Sequence, residues 1–302
     1  MLDIENLSVA YPDGTTAVDR VGFSLARGES AALIGANGAG KTSLIMALVG
    51  VLPSTGVVRA CGTELTKKSL AEIRSKVGVL FQNPDDQLFM ASIYDDIAFG
   101  PRNMGLSEEE VARRVEESLA LLHIEHLRGK TALKVSGGEK RMAALATVLA
   151  MEPAVMLFDE PTAFLDPRAR RNLINVLKAL PHTKLIATHD LTFAEEVCER
   201  SILLKGGRLF ADGPSRELFY NGPLMDECGV EAISAGPQPC PSGNGKRNVS
   251  SWNSAISSTK TRAPRWPSRG ARTPPIFFTR RCNAARRCAP TMSRRPFSRV
   301  LN

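Results

Sequence analysis

The stretch LIGANGAGKTSL, residues 33–44, places three glycines between an apolar run and a helical pattern. It contains the spacing G-x-x-x-x-G-K-[ST], here as Gly35, Gly40, Lys41 and Thr42. Glycines let successive backbone N–H groups turn toward phosphate oxygens, where side chains would block the approach. The following helix adds free N–H groups and the positive end of its dipole. This context predicts a phosphate-binding loop, with Lys41 at the β- and γ-phosphates and Thr42 at Mg²⁺.

Short apolar runs recur along the chain with helical patterns between them. Uninterrupted runs of this length are typical of buried parallel strands, and their alternation with helices predicts an α/β sheet. Residues 2–9 and 17–25 instead alternate apolar and polar residues around YPDGT, which predicts an antiparallel β layer that 56–62 can join. The apolar runs lie at 31–35, 77–81, 154–158, 184–188 and 201–205.

The interval 83–150 contains no comparable strand pattern and predicts a helical subdomain within the α/β domain. One helix is predicted to begin after Ser107, with Glu110 completing a capping box. A second helix is predicted over 137–150. We expect the whole domain to span residues 1–232.

The charge of the chain changes abruptly near its residue 233. The net charge is +8, yet residues 234–302 contain 14 Lys and Arg and no Asp or Glu, so the preceding part is net negative. The segment 233–302 is rich in Pro, Ser and Arg and lacks helix or strand periodicity, which predicts a disordered basic tail. Three interpretations are a nucleic-acid or anionic-lipid arm, an inert extension and an out-of-frame product. The absence of acids and the excess of Arg over Lys favour the last two.

The cysteines and the apolar patterns limit the location of the protein. Six cysteines form no CxxC pair and match no histidine spacing, which argues against a zinc site or disulfide framework and favours a reducing compartment. The opening MLDIENLSVAYPDG lacks the apolar core of a secretion signal. No stretch reaches the roughly 18 apolar residues of a membrane span. We expect a cytoplasmic protein, or one bound peripherally to the cytoplasmic face of the cell membrane.

A second chemical motif follows the apolar run AVMLF, where Asp159 and Glu160 begin DEPT. Carboxylates at the carboxyl end of a buried parallel strand lie where open α/β sheets bind ligands. Asp159 can hold Mg²⁺ through water, and Glu160 can polarise an attacking water as a general base. Such a pair also serves as a helix cap in many proteins. In this chain the Asp-Glu pair indicates a catalytic site because a phosphate-binding loop precedes it in the sequence.

With Walker A at 35–42 and Walker B at 155–159, the chain resembles the ATP-binding cassette (ABC) ATPases. The resemblance covers roughly residues 2–220, and all the motifs occur in the family's order. It implies a P-loop NTPase (RecA-like) α/β core with an antiparallel β layer and a helical insert. It also implies that the protein is an ATP hydrolase with ATP and Mg²⁺ as its cofactors.

The resemblance implies roles for residues outside these two motifs. Gln82 in the Q-loop would sense Mg²⁺ and water, His189 would bridge the γ-phosphate and Glu160, and Tyr11 would stack on adenine. The signature VSGGE of one copy would close over ATP held by a second copy or a paralogue, so that a head-to-tail dimer has two composite sites. The implied catalytic residues are Lys41, Gln82, Glu160 and His189; the Mg²⁺ residues are Thr42, Gln82 and Asp159; the nucleotide-binding residues are Tyr11, Gly35, Asn37, Gly38, Gly40, Lys41, Thr42, Ser43, Ser136, Gly137, Gly138 and Asp166.

Some of these residues also have plainer interpretations, and two positions depart from the family pattern. Ser136 and Glu139 form a capping box that by itself only starts a helix, and both roles can hold at once. Glu139 stands where the commonest motif has glutamine, and its charge beside a phosphate-binding helix end is tolerable only if the side chain folds back onto its own cap. Phe164 replaces the usual small residue of the D-loop, AFLD. A single histidine after a strand, such as His189, is more often a packed or capping residue.

Three segments narrow the resemblance to the ATPase subunits of energy-coupling factor importers, particularly the cobalt and nickel group: 81–89, 95–106 and 137–153. This implies an integral membrane transporter component as partner, with coupling helices beside the Q-loop, and no direct contact with the transported substrate. Four aspartates near that place predict either a solvated acidic loop or a docking surface for basic coupling helices. They are Asp85, Asp86, Asp95 and Asp96.

Two kinds of alternative function stay open. Four histidines and scattered cysteines offer no metal-handling site, so vitamin import is a close alternative to cobalt or nickel. A soluble ABC protein that acts on nucleic acid through the basic tail belongs to a different class. This alternative is disfavoured because the chain has a single cassette and a short helical insert. An inactive regulatory cassette is disfavoured because Lys41, Asp159, Glu160 and His189 are all present.

Overall fold

The computed structural model describes residues 1–233, so the tail predicted over 233–302 lies outside the described residues except for its first position. Across these residues, no helix combines the length and apolar character needed to cross a bilayer. The strands are β1 (Leu2–Ala10), β2 (Thr16–Leu25), β3 (Ser30–Ile34), β4 (Thr55–Ala60), β5 (Thr63–Glu64), β6 (Val77–Leu80), β7 (Val155–Asp159), β8 (Thr183–Thr188), β9 (Arg200–Lys205) and β10 (Arg208–Pro214). The helices are α1 (Lys41–Leu48), α2 (Leu70–Lys76), α3 (Ile93–Asn103), α4 (Glu108–Leu122), α5 (Gly137–Leu149), α6 (Pro167–Ala179), α7 (Leu191–Val197), α8 (Ser215–Phe219) and α9 (Gly222–Cys228).

The larger sheet has the strand order β10-β9-β3-β8-β7-β6. β10 forms an antiparallel hairpin with β9, and the other neighbours are parallel. β7 and β8 are buried at every position, because helices cover both faces of a parallel sheet. The α/β sheet predicted from the apolar runs is therefore confirmed. The carboxyl ends of β3, β7 and β8 lie next to one another, which positions the loops that follow them.

The smaller sheet has the order β2-β1-β4-β5, with every pair antiparallel. The alternating pattern of β1 buries Leu2, Ile4 and Leu7 and leaves the intervening acidic residues exposed. These side chains share one hydrophobic cluster with Leu44 of α1 and Leu33 of β3. The predicted antiparallel layer is thus confirmed, with α1 packed between the two sheets.

The chain between β6 and β7 forms helices α3, α4 and α5 and contains no strand. Ile97, Val115 and Leu145, one from each helix, belong to a single buried cluster that continues into the larger sheet. The segment lies where the helical subdomain 83–150 is predicted. The boundary of that subdomain and the end of the domain at 232 stay predictions.

The predicted capping box of α4 is wrong in its second half. The Ser107 hydroxyl accepts the backbone N–H of Glu110 at 3.3 Å, so Ser107 does cap the helix. The Glu110 carboxylate does not return to Ser107, because it accepts hydrogen bonds from Arg113 at 2.6 Å and Arg114 at 2.8 Å. These arginines follow at helical spacing i+3 and i+4, where ion pairs form readily.

Candidate active site

The phosphate-binding loop joins β3 to α1 through a turn that requires glycine. Gly38 and Gly40 have φ of 80° and 102°, in the left-handed region that glycine tolerates. A Cβ on Gly40 would lie 2.3 Å from the carbonyl oxygen of Ala17, and one on Gly35 would lie 2.5 Å from that of Leu204. Helix α1 then begins at Lys41 with no side-chain cap from the described residues. Its first N–H groups are therefore available to an anionic ligand.

Lys41 is held at the base of the loop. Its side chain is buried, and its Nζ donates hydrogen bonds to the carbonyl oxygens of Gly35 at 2.8 Å and Ala36 at 3.3 Å. The same Nζ lies 3.7 Å from Oε1 of Glu160. A buried ammonium that is bound mainly by neutral carbonyls can take a phosphate as a stronger partner.

Thr42 and Asp159 meet although 117 positions separate them in the sequence. The Thr42 hydroxyl donates to Oδ2 of Asp159 at 2.8 Å. Oδ1 of Asp159 is buried and has no hydrogen-bond partner among residues 1–233, and burial raises the pKa of this carboxyl. A threonine hydroxyl beside an unpaired buried carboxylate oxygen offers the oxygen ligands that Mg²⁺ prefers. These residues fit a magnesium ion.

Glu160 lies between Lys41 and His189 in a strained backbone conformation. Its φ is +44°, its N–H donates to the carbonyl of Ala187 at 2.8 Å, and its side chain is buried. Oε2 lies 2.9 Å from Nδ1 of His189 and accepts the backbone N–H of His189 at 3.3 Å. Left-handed backbone at a non-glycine residue is costly and concentrates at functional sites. The arrangement aims a buried carboxylate at the phosphate loop beside an exposed imidazole.

One cleft of about 500 Å³ collects most of the predicted site residues. Tyr11 lies at its mouth, with its hydroxyl 2.9 Å from Oγ of Ser43 in a hydrogen bond and its ring partly exposed. An exposed ring at that place is available to stack on a flat ligand. The predicted residues that line the cleft are Tyr11, Asn37, Gly38, Gly40, Lys41, Thr42, Ser43, Gln82, Asp159, Glu160 and His189.

Three other predicted residues line a separate cavity of about 610 Å³: Ser136, Gly138 and Asp166. Here the amino-terminal ends of α5 and α6 approach so closely that a Cβ on Gly138 would lie 2.9 Å from Cβ of Ala169. Ser136 and Glu139 form the complete capping box predicted for α5. Gly137 begins α5 at the same edge, but it does not line this cavity. A single chain therefore does not bring the signature segment, Val135–Glu139, to the first cleft.

Arg141, which is not among the predicted site residues, connects α5 to the Gln82 loop. Its guanidinium is 1% exposed and donates to the carbonyl oxygens of Phe81 at 2.7 Å and Gln82 at 2.5 Å. Burial lowers the pKa of Arg141 to about 10. The available signal was an arginine directly before the apolar run MAALATVLA, since a charge on a buried helix requires hydrogen-bonding partners.

The four aspartates near the Q-loop differ in exposure and in their partners. Asp96 is 3% exposed, and its Oδ1 accepts the backbone N–H groups of Phe89 and Met90, each at 2.8 Å. Asp85 pairs with Lys140 at 2.5 Å, and Asp95 accepts the Ser92 hydroxyl at 2.6 Å. Only Asp86 is exposed without an ionic partner among the described residues. Burial therefore removes Asp96 from either predicted role, whereas the choice between a solvated acidic loop and a docking surface stays a prediction for the other three.

Comparison with known proteins agrees with this geometry. The ABC transporter family profile matches residues 18–163. A protein of Geobacter sulfurreducens named as an ABC transporter ATP-binding protein is 47% identical over 232 residues, which cover 76% of this chain and 93% of that protein. The energy-coupling factor transporter ATP-binding protein EcfA of Carboxydothermus hydrogenoformans is 40% identical, over 76% of this chain and 87% of that protein.

Two solved structures share the fold. CbiO1 of Clostridium perfringens, described as part of the ABC transporter complex cbiONQ, has a TM-score of 0.67 at 36% identity, covering 75% of this chain and 93% of that one. A dimeric ATP-binding cassette in a post-hydrolysis state with ADP and Pi has a TM-score of 0.65 at 26% identity, covering 72% and 99%. The chain belongs to the ABC transporter ATP-binding family. It has the P-loop NTPase fold of that family and is an ATP-hydrolysing transporter subunit.

Proposed function

We propose that this chain is the ATPase subunit of an energy-coupling factor importer and that its cargo is cobalt or nickel. The EcfA relative and the cbiO1 neighbour support this type of transporter. The observation that carries the catalytic part is the separation of the phosphate loop and the signature segment into two cavities of one chain. A second ATPase subunit, placed head to tail, supplies the missing half of each site. The cassette solved as a dimer with ADP and Pi supports this assembly.

The chain's own side chains support a hydrolytic mechanism. The phosphate loop and the start of α1 bind the phosphates of ATP, and Lys41 exchanges its carbonyl partners for them. Glu160 accepts a proton from the attacking water, and His189, 2.9 Å from its carboxylate, orients that group. Thr42 and Asp159 would hold Mg²⁺, which would neutralise charge on the phosphates. Gln82 lines the same cleft and couples the binding of nucleotide there to the helical segment.

The substitution Glu160→Gln tests this mechanism, because it keeps the shape of the side chain and removes the base. We expect hydrolysis to slow by roughly 10²- to 10⁴-fold, with ATP binding retained and a stable dimer accumulating. Single-turnover hydrolysis and equilibrium ATP binding measure the two effects separately. Glu109→Gln on the exposed face of α4 is the matched control and should leave both unchanged. Normal turnover in Glu160→Gln would exclude Glu160 as the base.

The membrane component docks on an apolar surface beside the Q-loop rather than on acidic side chains. Phe89 and Phe99 are 60% and 40% exposed, and their ring centroids lie 5.1 Å apart in an edge-to-face contact. Met104 at the end of α3 is also exposed. Exposed aromatic pairs of this kind are typical of protein interfaces.

Partner and cargo can be tested in one cellular system. Phe89→Glu should abolish co-purification with the membrane component of the transporter, whereas the nearby exchange Asp86→Lys should not. Uptake of labelled cobalt, nickel and vitamins should then fall only for the true cargo when Lys41→Ala replaces the native chain. Among residues 1–233 no cluster of three His, Cys, Asp or Glu is placed to hold a metal ion. Vitamin uptake that depends on Lys41 would replace the metal proposal.

A further inference from the structure

The carboxylate of Glu139 occupies the amino-terminal end of α5. Its Oε2 accepts hydrogen bonds from the backbone N–H of Ser136 at 2.7 Å and from the Ser136 hydroxyl at 2.8 Å. The Ser136 hydroxyl in turn accepts the N–H of Glu139 at 3.3 Å. The only proton of this hydroxyl is therefore already donated within the chain. A phosphate that needs the same proton must displace the carboxylate.

His126 holds the other oxygen of this carboxylate. Its Nε2 lies 3.2 Å from Oε1 of Glu139, and it belongs to a short 3-10 turn, Glu125–Leu127, that precedes α5. The contact therefore connects two separate elements. The backbone N–H and hydroxyl of Ser136, with smaller effects of His126 and Lys130, lower the pKa of Glu139 to about 2. Glu139 is thus an anion at neutral pH.

The same cavity contains further charged groups. Asp166 caps α6 by accepting the backbone N–H groups of Arg168 and Ala169, and the Arg168 side chain also lines the cavity. His123 is the second histidine of its lining. Glu139 differs from all of these because it alone, among the described residues, accepts the Ser136 hydroxyl proton.

We propose that Glu139 competes with the terminal phosphate of a nucleotide held by a second copy for the Ser136 hydroxyl, and that His126 holds the carboxylate in this competing position. The inference rests on the proposed function, because that function brings a phosphate to Ser136. Two anions then meet at one hydroxyl, so the carboxylate weakens the ATP-driven association of two copies. Glu139 sets the affinity of the composite site, and His126 is a positioning residue that acts through it.

The full-length Glu160→Gln chain provides the test, because its slow hydrolysis allows ATP-dependent self-association to be measured at equilibrium. Adding Glu139→Gln removes the charge but keeps an acceptor for the Ser136 N–H, so α5 stays capped. We expect the ATP concentration at half-association, followed by analytical ultracentrifugation, to fall by roughly tenfold. The gain should shrink as salt rises, since repulsion between charges is screened. Glu125→Gln removes an adjacent charge that does not contact Ser136 and should give little change.

His126→Ala tests the positioning role in the same background. Alone it should strengthen association by a smaller factor, and combined with Glu139→Gln it should add nothing further. An equal effect of His126→Ala with and without Glu139 would exclude action through the carboxylate. If Glu160→Gln associates with ATP but Glu139→Gln brings no gain, the competition is wrong while the proposed function stands. If Glu160→Gln neither binds ATP nor associates, both proposals fail.

Discussion

Asp96 shows at the scale of a single residue how burial changes what a carboxylate does. Both backbone N–H groups that it accepts belong to Phe89 and Met90, in the segment that leads into α3. Its Oδ2 is buried and has no partner within residues 1–233. Burial raises the pKa of Asp96, although its two backbone hydrogen bonds act in the opposite direction. The Asp96 side chain stabilises this segment through its two backbone hydrogen bonds, while its carboxylate stays partly unpaired.

The raised pKa gives a prediction for the pH dependence of stability. The folded state holds the Asp96 proton more tightly than the unfolded chain, where the pKa is about 4. The contribution of this group to stability therefore falls as the pH rises from about 4 through the raised pKa. Asp96→Asn keeps the Oδ1 acceptor and cannot ionise, so its free energy of unfolding relative to that of the native chain should increase between pH 4 and pH 7. Urea unfolding at both pH values measures the difference, with Asp86→Asn at an exposed position as the control variant.

Individual site residues were predictable where the chemistry depends on local sequence. The spacing of Gly35, Gly40 and Lys41 is enough to form a phosphate loop, because a turn and the next helix are local structures. Arg141 and Asp96 were not predictable, since their roles depend on backbone groups that the fold brings to them from other segments. Tertiary hydrogen bonds of this kind leave no periodic pattern in the sequence.

Helix α5 connects the cleft at the phosphate loop with the cavity at Ser136. Its amino-terminal end carries Ser136 at the second cavity, while Arg141, one turn later, donates to the carbonyl oxygens of Phe81 and Gln82 beside the first. The guanidinium is paired with no carboxylate among the described residues, so its buried charge relies on these carbonyls. A movement of α5 would therefore be transmitted to Gln82.

Arg141→Met tests this connection. The substitution removes both hydrogen bonds to the Gln82 loop but also a buried charge, so the net change in stability should be small, about 1–2 kcal/mol. We expect kcat to fall by roughly tenfold with little change in KM for ATP, because Gln82 is no longer held in place. The neighbouring Lys140→Met removes a cation whose one ionic partner within residues 1–233 is Asp85, and it serves as the control. A loss of stability with normal kcat would show that Arg141 is purely structural.

At the scale of the whole molecule, the presence of buried parallel strands follows from the sequence better than the position of the signature segment does. Buried parallel strands are recognisable by their apolar runs, and the loops after β3, β7 and β8 must meet at one edge of the sheet. The placement of Ser136 in a cavity of its own results from how the helical segment packs on that sheet. Such packing depends on long-range contacts that no local pattern encodes. The residue patterns therefore predict the two halves, and only the family resemblance implies that they lie apart within one chain.

This separation leads to a mixing experiment on two inactive variants. Lys41→Ala disables the phosphate loop, and Ser136→Asp disables the signature segment, so each variant alone should be almost inactive. In a head-to-tail dimer that contains one of each, the two defects fall in the same site and leave the other site intact. With random exchange and independent sites, an equimolar mixture should regain about a quarter of the native ATPase rate. Mixing Lys41→Ala with the double variant Lys41→Ala/Ser136→Asp is the control, because no intact phosphate loop is then present. Absence of recovery despite verified subunit exchange would mean that nucleotide is not shared between copies.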